Sequence, residues 1–255
     1  MTFFPMMKSR RKALKEIGAI TLGTSLLPSM AFSSHSENIR GKVVITGAHP
    51  DDPETGCGGT VLSLREQGYD IVLYYLTRGE AGINGKTHQE ASYTRVKEAE
   101  NACHILGAKA RFFGQIDGET IVNNEWYKNV FMAIMREDPD LIITHWPIDA
   151  HKDHRACSIL TYNAWLRVDR KPAFYYYEVM SGEQTQNFHP TDYSDITSFA
   201  ETKRKACDMH ESQYVNDWYD NTHGKMELFR GIEKGCERAE AFVRHSQSTV
   251  FVFNS

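Results

Sequence analysis

The chain has 255 residues, of which 41% are hydrophobic and 24% are charged, and its net charge is −4 at pH 7. This length and composition suit one globular domain with a sizeable core and exclude a disordered or fibrous protein. The acidic excess argues against a nucleic-acid partner, because binding phosphates requires clustered lysine and arginine. Five cysteines without a C-x-x-C pair indicate neither a disulfide framework nor a cysteine-rich zinc site, although export would permit one or two bridges.

Residues 1–38 have the order of an export signal. The pair Arg10-Arg11 precedes an apolar segment, Ile17–Leu27, and Ser29-Met30-Ala31 offers the small residues that a signal peptidase recognises. The apolar segment is too short for a membrane span, which needs about 20 residues. The pattern resembles a twin-arginine signal and predicts export of the folded protein to the periplasm or beyond, with only transient membrane contact. A basic amphipathic helix is the alternative.

From residue 39 onward, predicted strands alternate with predicted helices. Apolar β-branched runs bounded by turn residues predict the strands, and apolar residues at helical spacing predict the helices. In chain order the strands are Val43–Ile45, Asp70–Thr77, Arg111–Phe113, Asp140–Thr144 and Ala173–Val179, and the helices are Gly56–Gln67, His88–Leu106, Glu125–Arg136, Arg155–Leu166, Phe199–His210 and Met226–Val243. The alternation predicts an α/β fold with a doubly wound, mostly parallel sheet and helices on both faces, in a single domain over residues 39–255.

Polar clusters directly follow two of the predicted strands. Ala48-His49-Pro50-Asp51-Asp52 comes after the first strand, and His145–His154 (HWPIDAHKDH) comes after DLIIT. Ligands of open α/β sheets bind at the carboxyl ends of strands, so both clusters lie where a site is expected. A catalytic zinc ion takes three nitrogen or oxygen ligands from the protein and keeps one position for water. The clusters supply enough donors for such a site: His49, Asp52, His151, Asp153 and His154.

Adjacent aspartates folded into a pocket repel each other, and a metal ion resolves the repulsion. One aspartate can bind the metal while the other acts as general base toward water. His-x-Asp-His can likewise supply one histidine as ligand and another that donates to developing negative charge. These parts predict hydrolysis of a carbonyl compound by metal-activated water. The first motif alone is more often a capped turn than a metal site, and the second alone is also weak, so the prediction depends on their pairing at one sheet edge.

The two clusters resemble the signatures of the LmbE-like, or PIG-L, zinc N-deacetylases. The resemblance continues through four shorter stretches: Leu76–Gly82 (LTRGEAG), Arg95-x-x-Glu98, Tyr176-x-Glu178 and His210-x-Ser212-Gln213. It implies a Rossmann-like fold and removal of an acetyl group from an N-acetylated sugar or sugar conjugate of the N-acetylglucosamine type. The family pattern His-Pro-Asp-Asp-Glu is altered here, because Pro53 separates Asp52 from Glu54.

By motif position, the resemblance implies roles for eight side chains. Three would bind a single zinc ion: His49, Asp52 and His154. Three would be catalytic: Asp51 as general base, His151 as the group that polarises the amide oxygen or stabilises the oxyanion, and Asp153 as the residue that orients His151. Two would bind substrate, namely Arg95 and Asp117. An ion pair with Glu98 or with a neighbouring helix explains Arg95 equally well, and a turn before Gly118 explains Asp117 equally well.

Two other functions compete with deacetylation. A non-catalytic sugar-binding protein could keep the fold, but it has no need of two carboxylates beside a metal. Gly56–Gly59 suggests a nucleotide-binding loop, but no G-x-G-x-x-G is present and the preceding acidic loop would repel a pyrophosphate. The sequence identifies neither the sugar nor the oligomeric state. Four residues of the C-terminal third could line a substrate groove by stacking on sugar rings: Tyr214, Trp218, Tyr219 and His223.

Overall fold

The computed structural model describes residues 39–253, which form seven strands and seven α-helices. The strands are β1 (Gly41–Gly47), β2 (Tyr69–Thr77), β3 (Lys109–Gln115), β4 (Leu141–His145), β5 (Ala173–Tyr177), β6 (Asp192–Asp195) and β7 (Ala239–Arg244). The helices are α1 (Asp52–Glu66), α2 (His88–Leu106), α3 (Asn124–Glu137), α4 (Lys152–Leu166), α5 (Ala200–Cys207), α6 (Val215–Trp218) and α7 (His223–Lys234). The elements predicted up to residue 177 are therefore confirmed, with shifts at their ends.

All seven strands form one sheet in the order β3-β2-β1-β4-β5-β7-β6. The first five are parallel, whereas β7 runs antiparallel to both β5 and β6, so the predicted mostly parallel sheet is confirmed. The strand order reverses at β1, where Val43 pairs with Ile71 on one side and with Leu141 on the other. The carboxyl ends of β1 and β4 thus flank the topological switch point, where such sheets bind ligands.

Side chains of β1 alternate between two cores. Val43 and Ile45 pack with residues of α1, α2 and α5 on one face of the sheet. Val44 packs with residues of α3 and α4 on the other face. A strand covered on both faces is apolar at consecutive positions, which explains the unbroken β-branched run.

The glycine cluster Gly56–Gly59 lies inside α1, which begins at Asp52 rather than at Gly56. A Cβ atom on Gly56 would lie 2.4 Å from Cδ2 of Tyr177, and one on Gly59 would lie 2.6 Å from Cβ of Ile196. These glycines allow the helix to approach its neighbours closely. They form no phosphate-binding loop, so the feature that suggested nucleotide binding is absent.

The predicted helix Met226–Val243 is wrong beyond Lys234. Gly235 takes a left-handed conformation, with φ of 86°, and ends α7. Ala239–Arg244 is instead the strand β7, inserted between β5 and β6. Pairing with distant strands decides this segment, so the apolar spacing that suggested a helix was misleading.

All five cysteines are free, and four of them are buried. None of the helices within residues 39–253 combines the length and the apolar character needed to cross a bilayer. The predicted export signal and linker, residues 1–38, lie outside the described residues, and this prediction stays untested.

Candidate active site

The segments that follow β1 and β4 meet at a cavity of about 730 Å³. Seven of the eight predicted site residues line it: His49, Asp51, Asp52, Arg95, Asp117, His151 and His154. The eighth, Asp153, is fully buried and contacts His49. Two sequence-distant clusters therefore form one site, because both follow neighbouring parallel strands.

Asp52 lies at the centre of the cluster on the cavity floor. Its Oδ2 atom is 3.4 Å from Nδ1 of His49, and its Oδ1 atom is 3.4 Å from Nε2 of His154. The amide of His49 also donates to Oδ2 at 2.7 Å. The three predicted zinc ligands are thus neighbours, with both histidines facing the same carboxylate.

The donor chemistry of this cluster fits a metal ion. Three overlapping sets have donor atoms within 4.8 Å of one another: His49, His151 and His154; Asp52, His145 and His154; and His49, Asp117 and Asp153. Burial opposes ionisation of Asp52, but the neighbouring His154 and His145 rings hold its pKa well below the usual value. An ionised carboxylate among imidazoles offers the nitrogen and oxygen donors that zinc takes.

Asp51 is held in a strained conformation beside this cluster. Its φ of 118° lies in the left-handed region, which costs a non-glycine residue about 1–3 kcal/mol and persists only where the surroundings enforce it. Arg95 enforces it, because its Nη2 atom donates to the Pro50 carbonyl and lies 3.1 Å from Oδ2 of Asp51. Burial raises the pKa of Asp51 to about 6, against the opposing charge of Arg95.

His151 is the N-cap of α4, and its ring is oriented by a backbone group. The Asp153 amide donates to Nδ1 of His151 at 3.2 Å. Burial and the nearby His49 and His154 rings lower the pKa of His151. In the neutral ring the proton therefore lies on Nε2, which makes that atom a hydrogen-bond donor.

The expected orientation of His151 by the Asp153 carboxylate is not observed. The carboxylate accepts hydrogen bonds from the Gly118 amide at 2.8 Å and from the Thr120 hydroxyl at 2.6 Å. Its Oδ2 atom also lies 3.3 Å from Nε2 of His49. In the first turn of α4 the Asp153 amide has no partner within the helix, so it donates to the N-cap side chain. The Asp153 carboxylate points to the 118–120 loop instead. Asp153 thus contacts His151 through its backbone and His49 through its side chain.

The two predicted substrate-binding residues have partners within the site. Arg95 contacts Asp51 rather than Glu98, whose carboxylate accepts from the amide and hydroxyl of Ser212 at 2.8 and 2.7 Å. The ion pair considered between Arg95 and Glu98 is therefore wrong. Asp117 lies 3.1 Å from Nε2 of His49, so it does more than form a turn.

Two functional candidates were missed by sequence reasoning. His145, the last residue of β4, lies 3.2 Å from Oδ2 of Asp52. Burial and the nearby His154 lower the pKa of His145 to about 4, so its ring is neutral. Asp149 lies 3.2 Å from Nδ1 of His154. Both lie within the polar cluster after β4, but residue type alone did not separate them from turn residues.

Glu54 and His210 lie behind the Asp51 turn. Glu54 is fully buried; its Oε1 atom accepts from the Tyr75 hydroxyl at 2.7 Å and lies 3.1 Å from Nε2 of His210. His210 is also fully buried and does not line the cavity. The altered motif with Pro53 thus leaves Glu54 inside the protein, where it joins α1 to β2 and to the segment after α5.

One wall of the cavity comes from the C-terminal third. Trp218 and His223 line it, as does the turn after β5 that carries Met180, Glu183 and Gln184. The two other aromatic residues considered for this wall are elsewhere: Tyr214 is 71% exposed outside the cavity, and Tyr219 is buried.

The chain is similar to proteins of known family. Residues 44–165 match the PIG-L family, described as GlcNAc-PI de-N-acetylase. A diacetylchitobiose deacetylase from Thermococcus kodakarensis is 31% identical over 196 residues, which cover 70% of this chain and 72% of that protein. A 4-oxalmesaconate hydratase from Pseudomonas putida is 24% identical over 210 residues, with coverage of 74% and 80%.

The fold is shared with solved structures. An N,N'-diacetylchitobiose deacetylase from Pyrococcus horikoshii superposes with a TM-score of 0.71 at 24% identity, over 80% of this chain and 83% of that one. The matched sequence includes both polar clusters and the strands that carry them. The chain therefore belongs to the PIG-L, or LmbE-like, family.

Proposed function

We propose that this protein is a zinc-dependent hydrolase that removes the acetyl group from an N-acetylated sugar. The observation that carries the proposal is the position of Asp51, which Arg95 holds beside the cluster of Asp52, His49 and His154 on the cavity floor. The deacetylase relatives support this reaction. The hydratase relative belongs to a different reaction class, so the site chemistry has to be tested directly.

The chain supplies the proton transfers of the proposed reaction. Zinc held by His49, Asp52 and His154 would polarise the scissile carbonyl and favour attack by water at neutral pH. Asp51 accepts the proton of the attacking water; since Arg95 holds Oδ2, we assign this transfer to Oδ1. The Nε2–H group of His151 donates to the oxyanion that forms when water attacks the acetyl carbon and the carbonyl oxygen becomes negatively charged. Asp51 then returns its proton to the amine as the C–N bond breaks, which leaves acetate and a free amino sugar.

The test is acetate release from a panel of N-acetylated sugars by the zinc-loaded protein. Asp51→Ala should reduce turnover by a factor of at least about 10² while the zinc content stays near that of the unmodified protein, because general acid–base groups contribute about 10²–10⁴. His154→Ala should lose the metal. Asp169→Ala, at an exposed position outside the cavity, is the matched control and should change neither property.

The outcomes separate the competing functions. Full activity of Asp51→Ala would show that the base is assigned wrongly. Binding of N-acetylated sugars without acetate release by the unmodified protein would instead support the non-catalytic sugar-binding protein.

A further inference from the structure

The side chains that line the cavity carry an excess of negative charge. Among the lining residues within the described part of the chain, four carboxylates accompany a single guanidinium, that of Arg95; the carboxylates are those of Asp51, Asp52, Asp117 and Glu183. The guanidinium is buried and pairs with Asp51 at 3.1 Å. Four carboxylates and one guanidinium leave an excess of negative charge that the two positive charges of a divalent cation in the cavity would not outweigh. When His49 and His154 hold the metal, the cavity therefore offers no free side-chain cation to a substrate.

His223 does not change this balance. Burial and the nearby ammonium of Lys203 lower its pKa to about 3, although Glu227 and Asp52 act in the opposite direction. Its ring is consequently neutral at physiological pH. A carboxylate or phosphate beyond the acetylated ring would leave water without gaining a side-chain partner of opposite charge, and this transfer is unfavourable.

The cavity suits uncharged polar groups instead. Gln184 lines it and offers an amide donor and acceptor for sugar hydroxyls. Gln213 also lines it and offers its side-chain oxygen, because its Nε2 atom donates to the Gly82 carbonyl at 3.0 Å and to the Ser212 hydroxyl at 3.1 Å. Glu183 is exposed on the turn after β5, where its amide donates to the Met180 carbonyl at 3.0 Å. A second hydrogen bond within this turn, from the Thr185 amide to the Val179 carbonyl at 3.2 Å, keeps it in place.

Trp218 adds an aromatic surface to the same cavity. Its indole N–H donates to the Gln213 carbonyl at 3.0 Å, which fixes the orientation of the ring. The cavity volume of about 730 Å³ lies in the range of about 300–1,000 Å³ found for pockets that enclose drug-sized ligands. Such ligands are larger than a single acetamido sugar, so the cavity has room beyond the acetylated ring.

We propose that the substrate is a neutral N-acetylated oligosaccharide of more than one ring rather than an anionic sugar conjugate. Trp218 packs on the ring beyond the acetylated one, and Glu183 disfavours an acidic group there. The inference rests on the proposed deacetylase function, which it makes more specific.

The experiment compares two matched disaccharides with the zinc-loaded full chain. One is N,N'-diacetylchitobiose, and the other carries a uronic acid as the ring beyond the N-acetylglucosamine. We expect kcat/KM for acetate release to be at least about tenfold higher for the neutral disaccharide, which corresponds to about 1.4 kcal/mol. Added salt should narrow the difference, because screening weakens charge repulsion.

Two variants test the contributions of Glu183 and Trp218 separately. Glu183→Lys should raise kcat/KM for the uronic disaccharide about tenfold, whereas Glu211→Lys, exposed outside the cavity, should not. Trp218→Ala should raise KM about tenfold for the neutral disaccharide and leave KM for N-acetylglucosamine unchanged. Tyr214→Ala is its control, since Tyr214 is exposed and does not line the cavity.

The results distinguish the inference from the proposed function. Equal or faster turnover of the uronic disaccharide would overturn the inference and leave the deacetylase function standing. An unchanged KM in Trp218→Ala would overturn the ring contact. Acetate release from no sugar would reject the proposed function. Calorimetry with both disaccharides would then decide the inference, with tighter binding of the neutral one supporting it and equal binding overturning it.

Discussion

The Oδ1 atom of Asp149 lies 3.2 Å from Nδ1 of His154, so a buried carboxylate backs a histidine that we assign to zinc. Asp149 is itself fixed, because its Oδ2 atom accepts from the Thr185 hydroxyl at 3.0 Å. The Thr185 hydroxyl in turn accepts from the Val179 amide at 3.0 Å. A chain of contacts therefore runs from the residues just after β5 to the cluster of His49, Asp52 and His154. Carboxylates in this position fix the tautomer and the orientation of a metal-binding histidine.

Asp149→Asn should lower zinc affinity about 10- to 100-fold, the usual effect of removing a group that orients a metal ligand. Competition with a chelator of known affinity measures this directly. Excess zinc should restore most of the activity, because the zinc ligands and Asp51 are unchanged. Asp169→Asn, at an exposed position, should retain the affinity of the unmodified protein. Unchanged zinc affinity in Asp149→Asn would show that Asp149 only shapes the loop.

The carboxyl ends of β1 and β4 could be predicted from sequence because local patterns define them. An unbroken β-branched run followed by polar residues indicates both the end of a buried strand and the position of a site. Neighbouring parallel strands then bring His49 and His154 together without any further information. Most of the predicted site residues line the cavity for this reason.

The support of the site could not be predicted in the same way. The contact between Asp149 and Thr185 joins two loops after different strands, and no local pattern encodes it. The Asp153 carboxylate likewise contacts the 118–120 loop, whose position depends on β3. The C-terminal strand β7 is a third case, because its pairing with β5 and β6 outweighs the helical spacing of its residues.

Lys203→Met should destabilise the fold by about 3–5 kcal/mol, because it leaves the buried Glu240 carboxylate without its cationic partner and leaves Glu227 with Arg238 alone. Lys203 is 1% exposed, and its ammonium lies 2.7 Å from both Glu227 and Glu240. Urea unfolding followed by circular dichroism measures the loss. Lys205→Met removes an exposed pair with Glu201 and should change stability by less than about 1 kcal/mol. Equal effects of the two substitutions would contradict the structural role of Lys203.

We further propose that residues 1–38 direct export through the twin-arginine route. Replacing Arg10-Arg11 with two lysines should leave folded protein in the cytoplasm of a bacterial host, because the pair is the part of the signal that the route recognises. Cell fractionation and immunoblotting measure the distribution. Lys12→Gln is the control and should still be exported. Export of the double-lysine variant at the unmodified level would reject the twin-arginine assignment.

Acid should destabilise the protein partly through His223. Burial and Lys203 lower the pKa of this ring to about 3 in the folded protein, against an unfolded value of about 6.5. Below pH 6.5 the unfolded chain binds a proton that the native state does not, so stability falls as the pH decreases toward 3. A single such group contributes a slope of up to about 1.4 kcal/mol per pH unit.

His223→Gln should therefore flatten the decline of stability between pH 6.5 and pH 4. At pH 7.5 the variant should be the less stable protein, because it loses the hydrogen bond between the ring and the Thr55 backbone. The gap should shrink or reverse as the pH falls. Urea unfolding at several pH values in the presence of a chelator measures the effect without a contribution from metal binding. His104→Gln, on the exposed face of α2, should follow the unmodified protein. Parallel curves for His223→Gln and the unmodified protein would mean that His223 is protonated as readily in the folded state as in the unfolded chain.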